Sequence, residues 1–492
     1  MEIRTLFPTR SSLLLGLATF LFFWGIWLSG VSTPFVYDDH WIIVQNPAIR
    51  KIFPLHRFFL DPHTSASPTT GMSQTIYRPL ATLSFALDLK LWSLRPFFFR
   101  LENILGHFLV GLLCAWGLRT WGRLSPEASL FAAAVFWFHP VQVETVQWIT
   151  QRSNILCLLG VLGSLHFFCK TQPHTFHLLG GFALYGAALL AKEAAAPLPL
   201  ILFLTDERRT RHKKRYCLLI GLTLLYVLVR TQILGQLGQR AYREENFFSN
   251  LLIGGLSWWE YIKLWAFPVS LTISHDQTIL SPWESPWPWG GFLSEVGFIL
   301  GGIWMWRKGN HRATAAMGWM LGGLLPVLGI IPTDTFVAER FLYIPTLGLA
   351  WGLGQCYDRT VSSWRSWVAL LLILGYGWRT HQRIKDFRSE VALWESAAQT
   401  EPSNAYATLC LALAHEQAGH LEQAAQLYPQ ALLKNPSQDM AFAACNNLAS
   451  IYIRLRQPHK ALIWAEKALK IYPNHPTALY NQSQALIKGL GK

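Results

Sequence analysis

Charge is scarce in this chain. Only 14% of its 492 residues are charged, against 51% hydrophobic, a balance too apolar for a soluble protein and one that calls for many membrane spans. Acidic residues are the scarcer sign: 28 Asp and Glu face 42 Lys and Arg, a formal net charge of +14. In a membrane protein such an excess reports orientation rather than nucleic-acid binding, because basic loops stay on the cytoplasmic side. The seven cysteines form no CxxC pair and no metal-ligand spacing. Cys114, Cys157, Cys169 and Cys217 lie in apolar runs, which points to buried free thiols. A serine-hydrolase elbow, a P-loop and a dinucleotide-binding glycine fingerprint are also missing, so those routes to catalysis have no sequence support. No small-residue cleavage site follows the first apolar run, Ser11 to Gly30, and with Arg4 and Arg10 before it the run reads as a retained anchor.

What is present is a succession of apolar runs. Beyond the first, they begin near Phe97, Ala128, Trp148, His177, Ala194, Tyr216, Phe292, Thr314, Phe341 and Trp364, giving about 11 spans by the ~20-residue criterion. The basic run Asp206 to Arg215 fixes the cytoplasmic side. Alternation then places the Asp38 loop, Arg78, His139 to Glu144, Lys192-Glu193 and Glu339-Arg340 outside. Asn250 to Leu271 fits this alternation only as an interfacial or re-entrant segment. The Ser/Thr/Pro-rich stretch Asp61 to Gln74 reads as an exposed loop, and Tyr77 to Trp92 as an amphipathic helix on the membrane surface. The Trp/Pro-rich loop Ser281 to Trp289 suits a membrane interface.

From Lys385 the composition changes, with acids and bases nearly balanced and Ala/Leu/Tyr at helical spacing. Pro402 and Pro436 are 34 residues apart, the period of tetratricopeptide repeats. One unit runs from Leu411 to Pro436 and a second from Leu448 to Pro473, with half units before (Asp386 to Pro402) and after (from Thr477). The expected organisation is all-α: a polytopic membrane domain over 1–380, whose first extracytoplasmic loop is 31–96, then a repeat solenoid over 381–492.

The chemistry is expected where ionisable residues interrupt apolar sequence, since a charge at the bilayer centre costs roughly 2.5–3.5 kcal/mol and is kept only beside a cavity or partner. Asp38 and Asp39 follow the first span directly and repel each other beside a low-dielectric slab. One can serve as a general base, or both can orient an acceptor or hold a metal. Arg78, Arg152, Lys192 and Arg340 fall on the same side and suit a phosphate. The plainer alternatives are a turn that happens to use Asp-Asp and local pairing of Lys192 with Glu193 and of Glu339 with Arg340.

Tyr37-Asp38-Asp39, Tyr77-Arg78-Pro79-Leu80, His139-Pro140-Val141-Gln142-Val143-Glu144, Gln151-Arg152, Lys192-Glu193 and Glu339-Arg340-Phe341-Leu342-Tyr343-Ile344-Pro345, followed by tetratricopeptide repeats, resemble the transmembrane-and-tetratricopeptide (TMTC) protein O-mannosyltransferases and their bacterial relatives. The resemblance implies a GT-C glycosyltransferase fold, set in a bacterial inner membrane, with the Asp38 loop and the repeats extracytoplasmic. It implies transfer of mannose or a similar hexose from a polyprenyl-phosphate carrier to a Ser/Thr hydroxyl of a protein or peptide met through the repeats. Asp38 or Asp39 would be the base, with Asp39 the one expected to face the acceptor. Arg340 with Arg78, Arg152 and Lys192 would hold the donor phosphate, supported by His139, Glu144, Glu193, Glu339 and Tyr343. Membrane lipid is the other expected partner. No cofactor is called for beyond an optional divalent cation. A lipid or polysaccharide acceptor, and a non-catalytic scaffold, remain alternative readings.

Overall fold

The computed structural model describes residues 10–68, 76–170, 174–206, 213–235, 247–275, 283, 285–330, 335–362 and 364–490. Residues 207–212 of the basic run, 69–74 of the polar loop, 281, 282 and 284 of the Trp/Pro-rich loop, and Arg4 lie outside the described residues. The described residues contain helices and no strand. They form two compact units, 1–269 with 279–385, and 270–278 with 386–492.

The first unit holds α1 (Arg10–Trp27), α2 (Pro79–Trp92), α3 (Pro96–Thr120), α4 (Pro126–Phe138), α5 (Gln142–Gln147), α6 (Arg152–Phe168), α7 (Thr175–Ala191), α8 (Leu198–Thr205), α9 (Lys213–Leu234), α10 (Phe247–Ala266), α11 (Trp287–Arg307), α12 (His311–Leu324), α13 (Thr346–Arg359) and α14 (Arg365–Ile384). Helices α2, α3 and α4 each begin on a proline, which fixes φ and lacks an N–H exactly where helix N–H groups have no partner. At α4, Ser125 Oγ also caps the Ala128 N–H at 3.1 Å.

Among the described residues, three helical segments are long and apolar enough to cross a membrane: Leu13–Gly30, Pro96–Thr120 and Lys213–Leu234. With the apolar composition, these helices mark a membrane protein. The sequence count of about 11 is larger because it accepts shorter runs, which become helices too short for that criterion, such as Pro126–Phe138, Thr175–Ala191 and Glu193–Thr205. The Asn250 to Leu271 segment forms one unbroken helix, α10, over most of its length. It packs so closely on α11 that a Cβ at Gly291 would strike the Gly255 carbonyl.

The first loop has its own core. Ile42, Ile43, Ile49 and Phe58 bury against Ala81 and Phe85 of α2, Phe99 of α3 and Ile149. This burial removes apolar surface from water and fixes the backbone that carries the acidic pair.

The second unit stacks α15 (Glu390–Thr400), α16 (Ala405–Gln417), α17 (Leu421–Leu432), α18 (Gln438–Arg454), α19 (Pro458–Ile471) and α20 (Pro476–Leu490). Buried alanines at 412, 424, 431, 444, 449, 461, 465 and 468 let neighbouring helices approach. Gly419, at φ +83°, makes the left-handed turn that ends α16. A segment remote in sequence completes this unit: Asn404 Nδ2 donates to Ser274 O at 2.9 Å.

Candidate active site

Tyr37 sits at φ +52°, uncommon for a bulky residue. The chain then turns through Asp38 and Asp39 into a single turn of helix, His40–Val44. Arg100 of α3 holds the approach to this turn by donating to the carbonyls of Thr33, Pro34 (2.8 Å) and Gln147 (2.9 Å). Strain beside a candidate site is a reason to look for function there.

The two carboxylates differ sharply. Asp39 is fully buried. Its Oδ2 accepts from Val36 N at 3.1 Å and its Oδ1 from Thr150 N at 3.0 Å. Asp38 is 7% exposed, and its Oδ1 accepts from Thr150 Oγ1 at 2.8 Å and from Trp148 Nε1. Its Oδ2 has no hydrogen-bond partner among the described residues. The expectation that Asp39 faces the acceptor thus meets a different geometry: Asp39 staples the loop to Thr150, and Asp38 keeps an oxygen available. Burial raises the pKa of Asp38 to about 6, with Thr150, Trp148 and Arg340 holding it down. Burial and the Asp38 charge push Asp39 higher, to about 8. Among the described residues, no group of three or more His, Cys, Asp or Glu side chains is placed to hold a metal ion.

Trp148 joins this carboxylate to a cation. Its indole N–H binds Asp38, and the Arg340 guanidinium lies 5.2 Å from its ring centroid. Arg340 Nη1 donates to Glu144 Oε1 at 2.6 Å and Arg340 N to Glu144 Oε2 at 2.9 Å. Glu144 is fully buried. The Phe341 ring also lies 5.1 Å from the Arg340 guanidinium and 5.7 Å from Lys192 Nζ.

Neither of the local ion pairs offered as the plainer alternative forms. Lys192 donates to Asn154 Oδ1 at 2.7 Å, Glu193 binds Arg78 at 3.2 Å, and Glu339 pairs with Arg383 of α14 at 3.1 Å. Burial and the nearby Arg78 charge lower Lys192 to about 7. Burial alone would raise Glu193, but the attraction of Arg78 and Lys192 takes it down to about 2. Asn154, Lys192, Glu193 and Phe341 line a small cavity of about 30 Å³.

Three residues expected at the site are occupied elsewhere. Arg152 donates to Asp88, Asn103 Oδ1 and Phe99 O and lies 3.2 Å from Glu102, joining α2, α3 and α6. His139 Nε2 lies 3.2 Å from Trp265 O. Tyr343 OH lies 3.0 Å from His107 Nδ1 in the core. Sequence reading also missed four members. Trp148, Thr150 and Asn154 are uncharged, so nothing in an apolar run singles them out. Arg230 acts electrostatically on Glu193 from within an apolar span.

An apolar groove of about 630 Å³ lies nearby in the chain, between α8 and α9, its walls including Leu200, Phe203, Ile220 and Leu224. It reaches Ala196 and Pro197, a few residues from Glu193, and shares Pro326 with the small cavity.

Comparison with known proteins accords with the resemblance seen in the motifs. The chain is 26% identical to Protein O-mannosyl-transferase Tmtc3 of Drosophila melanogaster over 81% of its length and 52% of that protein's. It is 26% identical to Protein O-mannosyl-transferase TMTC4 of Mus musculus, covering 75% of this chain and 60% of the relative. Against Protein O-mannosyl-transferase F38B6.6 of Caenorhabditis elegans it is 23% identical, with coverages of 77% and 56%. The chain thus spans about half the length of the curated relatives it matches. Residues 442–475 match the tetratricopeptide repeat family. No solved structure matches.

Proposed function

We propose that this chain, similar over most of its length to protein O-mannosyltransferases, is a GT-C-type membrane glycosyltransferase. It moves mannose or a similar hexose from a polyprenyl-phosphate carrier to a Ser/Thr hydroxyl of an extracytoplasmic protein. The observation that carries the reading is the Asp38–Trp148–Arg340 arrangement: a carboxylate with one oxygen fixed and one available, beside a cation on the same indole. Asp38 Oδ2 takes the acceptor hydroxyl proton as the acceptor oxygen bonds to the anomeric carbon. The bond from that carbon to the phosphate oxygen breaks with inversion, and the electron pair leaves on the carrier phosphate. Arg340, Lys192 and Arg78 neutralise that charge, the largest demand when the leaving group is already a phosphate. The apolar groove supports a lipid carrier, since it offers an isoprenoid chain a path from the membrane to Lys192 and Glu193. With about 11 spans, the Asp38 loop and the repeats share the outer face of a bacterial inner membrane.

The pH dependence tests this reading. A base works deprotonated, so turnover is expected to fall as pH drops through about 6, the value of Asp38. Lys192 must be protonated to hold phosphate, so carrier binding should weaken as pH rises through about 7. A narrow bell for kcat/KM results. A flat profile from pH 5 to 8 for the purified enzyme would remove Asp38 as base.

The repeats are assigned to acceptor recruitment, since stacked helix pairs form extended surfaces for peptides. Truncation after Arg388 should raise the acceptor KM and leave the affinity for a non-transferable donor analogue unchanged. Loss of donor binding from a folded truncated protein would overturn that division.

A further inference from the structure

The first loop and α2 leave an open cleft of about 600 Å³ that none of the chemistry above uses. Arg50 and Phe53 stand on one wall, and Leu89, Lys90, Ser93 and Leu94 on the other. Two of these side chains are cationic and none is acidic. Arg50 spends one nitrogen on the Val44 carbonyl at 2.5 Å, and Lys90 is exposed. Phe53 is 71% exposed, and Leu94 on the facing wall is exposed as well, so the two cations stand beside apolar surface.

Chain continuity fixes where this cleft lies. Leu94 is two residues before Pro96, where the 25-residue apolar helix α3 begins. The cleft therefore opens beside the end of α3 at which the chain turns from the first loop into an apolar span. Farther along α3, Phe97, Leu105 and Leu109 are exposed. Leu87 and Leu91 are exposed on the neighbouring turns of α2. Cations above an apolar strip at a membrane boundary are the pattern by which interfacial elements recognise anionic lipid.

We propose that this cleft binds one anionic phospholipid of the surrounding bilayer. The headgroup phosphate lies between Arg50 and Lys90, the glycerol packs on Phe53 and Leu94, and an acyl chain descends past Phe97, Leu105 and Leu109. The cleft's geometry carries this site independently of the catalytic reading. It anchors the loop that bears Asp38 and Asp39 to the membrane surface.

Native mass spectrometry of the full-length protein, delipidated in detergent and then given phosphatidylglycerol or phosphatidylcholine, tests it. The wild type should retain one more phosphatidylglycerol than the Arg50→Gln/Lys90→Gln variant, with a phosphatidylcholine count equal in both. Both residues are exposed and the variant loses only the surface hydrogen bond from Arg50 to the Val44 carbonyl, so its Tm without added lipid should fall slightly at most. A separate Phe53→Ser variant should speed phosphatidylglycerol loss several-fold without changing net charge. Equal phosphatidylglycerol retention by wild type and double variant would overturn the proposal. So would displacement of that lipid by an acidic Ser/Thr peptide, which would make the cleft an acceptor site.

Discussion

Asp38→Asn is expected to yield a folded protein that binds its donor normally and transfers ~10²-fold or more slowly, the scale of losing a general base. The substitution is nearly isosteric. Asn Oδ1 can still accept from Trp148 Nε1 and Thr150 Oγ1, and the new amide takes the position of an oxygen that has no partner among the described residues. What disappears is the basic lone pair. Asp39→Asn should behave differently, because each Asp39 oxygen accepts from a backbone N–H. An amide must turn its N–H2 toward one of those donors, leaving a buried N–H unpaired at about 1–3 kcal/mol. Low yield and a lowered Tm are therefore its expected signature, with turnover per folded molecule less affected. Single-turnover transfer, measured beside binding of a non-transferable donor analogue, separates the two. Near-normal transfer by Asp38→Asn would return the acidic pair to a structural role.

Arg340→Ala should cost about 3–5 kcal/mol of stability, the range for stranding one partner of a buried ion pair. Glu144 is the stranded partner: it is fully buried and both its oxygens bind Arg340, one through the side chain and one through the backbone. The single variant therefore cannot distinguish a lost phosphate ligand from a damaged fold. The double variant Arg340→Ala/Glu144→Gln can. A neutral amide at 144 can still accept from the backbone N–H at position 340 and removes the unpaired charge, so most of the lost Tm should return. Carrier affinity should stay low, because the cation beside Asp38 is still missing. Recovery of carrier binding together with Tm would mean that Arg340 serves only as the counter-ion of Glu144.

Much of the architecture was legible because it is written in short-range patterns. Prolines at the first turns of α2, α3 and α4, apolar runs, and the 34-residue spacing of Pro402 and Pro436 each act within a few turns of helix. The repeat match at 442–475 lies where buried alanines recur at helical spacing. The acidic pair was legible for a similar reason, since two carboxylates directly after an apolar run carry an energetic cost visible without a fold.

The choice between the two carboxylates belongs to the tertiary structure. Asp38 and Asp39 are adjacent and chemically identical in sequence, and only the approach of Trp148 and Thr150 makes one a staple and leaves the other an oxygen. The same holds for the cations. By sequence proximity Lys192 goes with Glu193 and Glu339 with Arg340. The fold instead pairs Lys192 with Asn154, Glu193 with Arg78, Glu339 with Arg383 and Arg340 with Glu144, and commits Arg152 to Asp88. The sequence by itself determined that the chain is helical, membrane-directed and repeat-ended, with acids and bases gathered at apolar boundaries. Which of those charges meet was decided in three dimensions. A buried charge takes the partner that reaches it with good geometry and little water between them, and that depends on how distant helices pack rather than on which residue comes next.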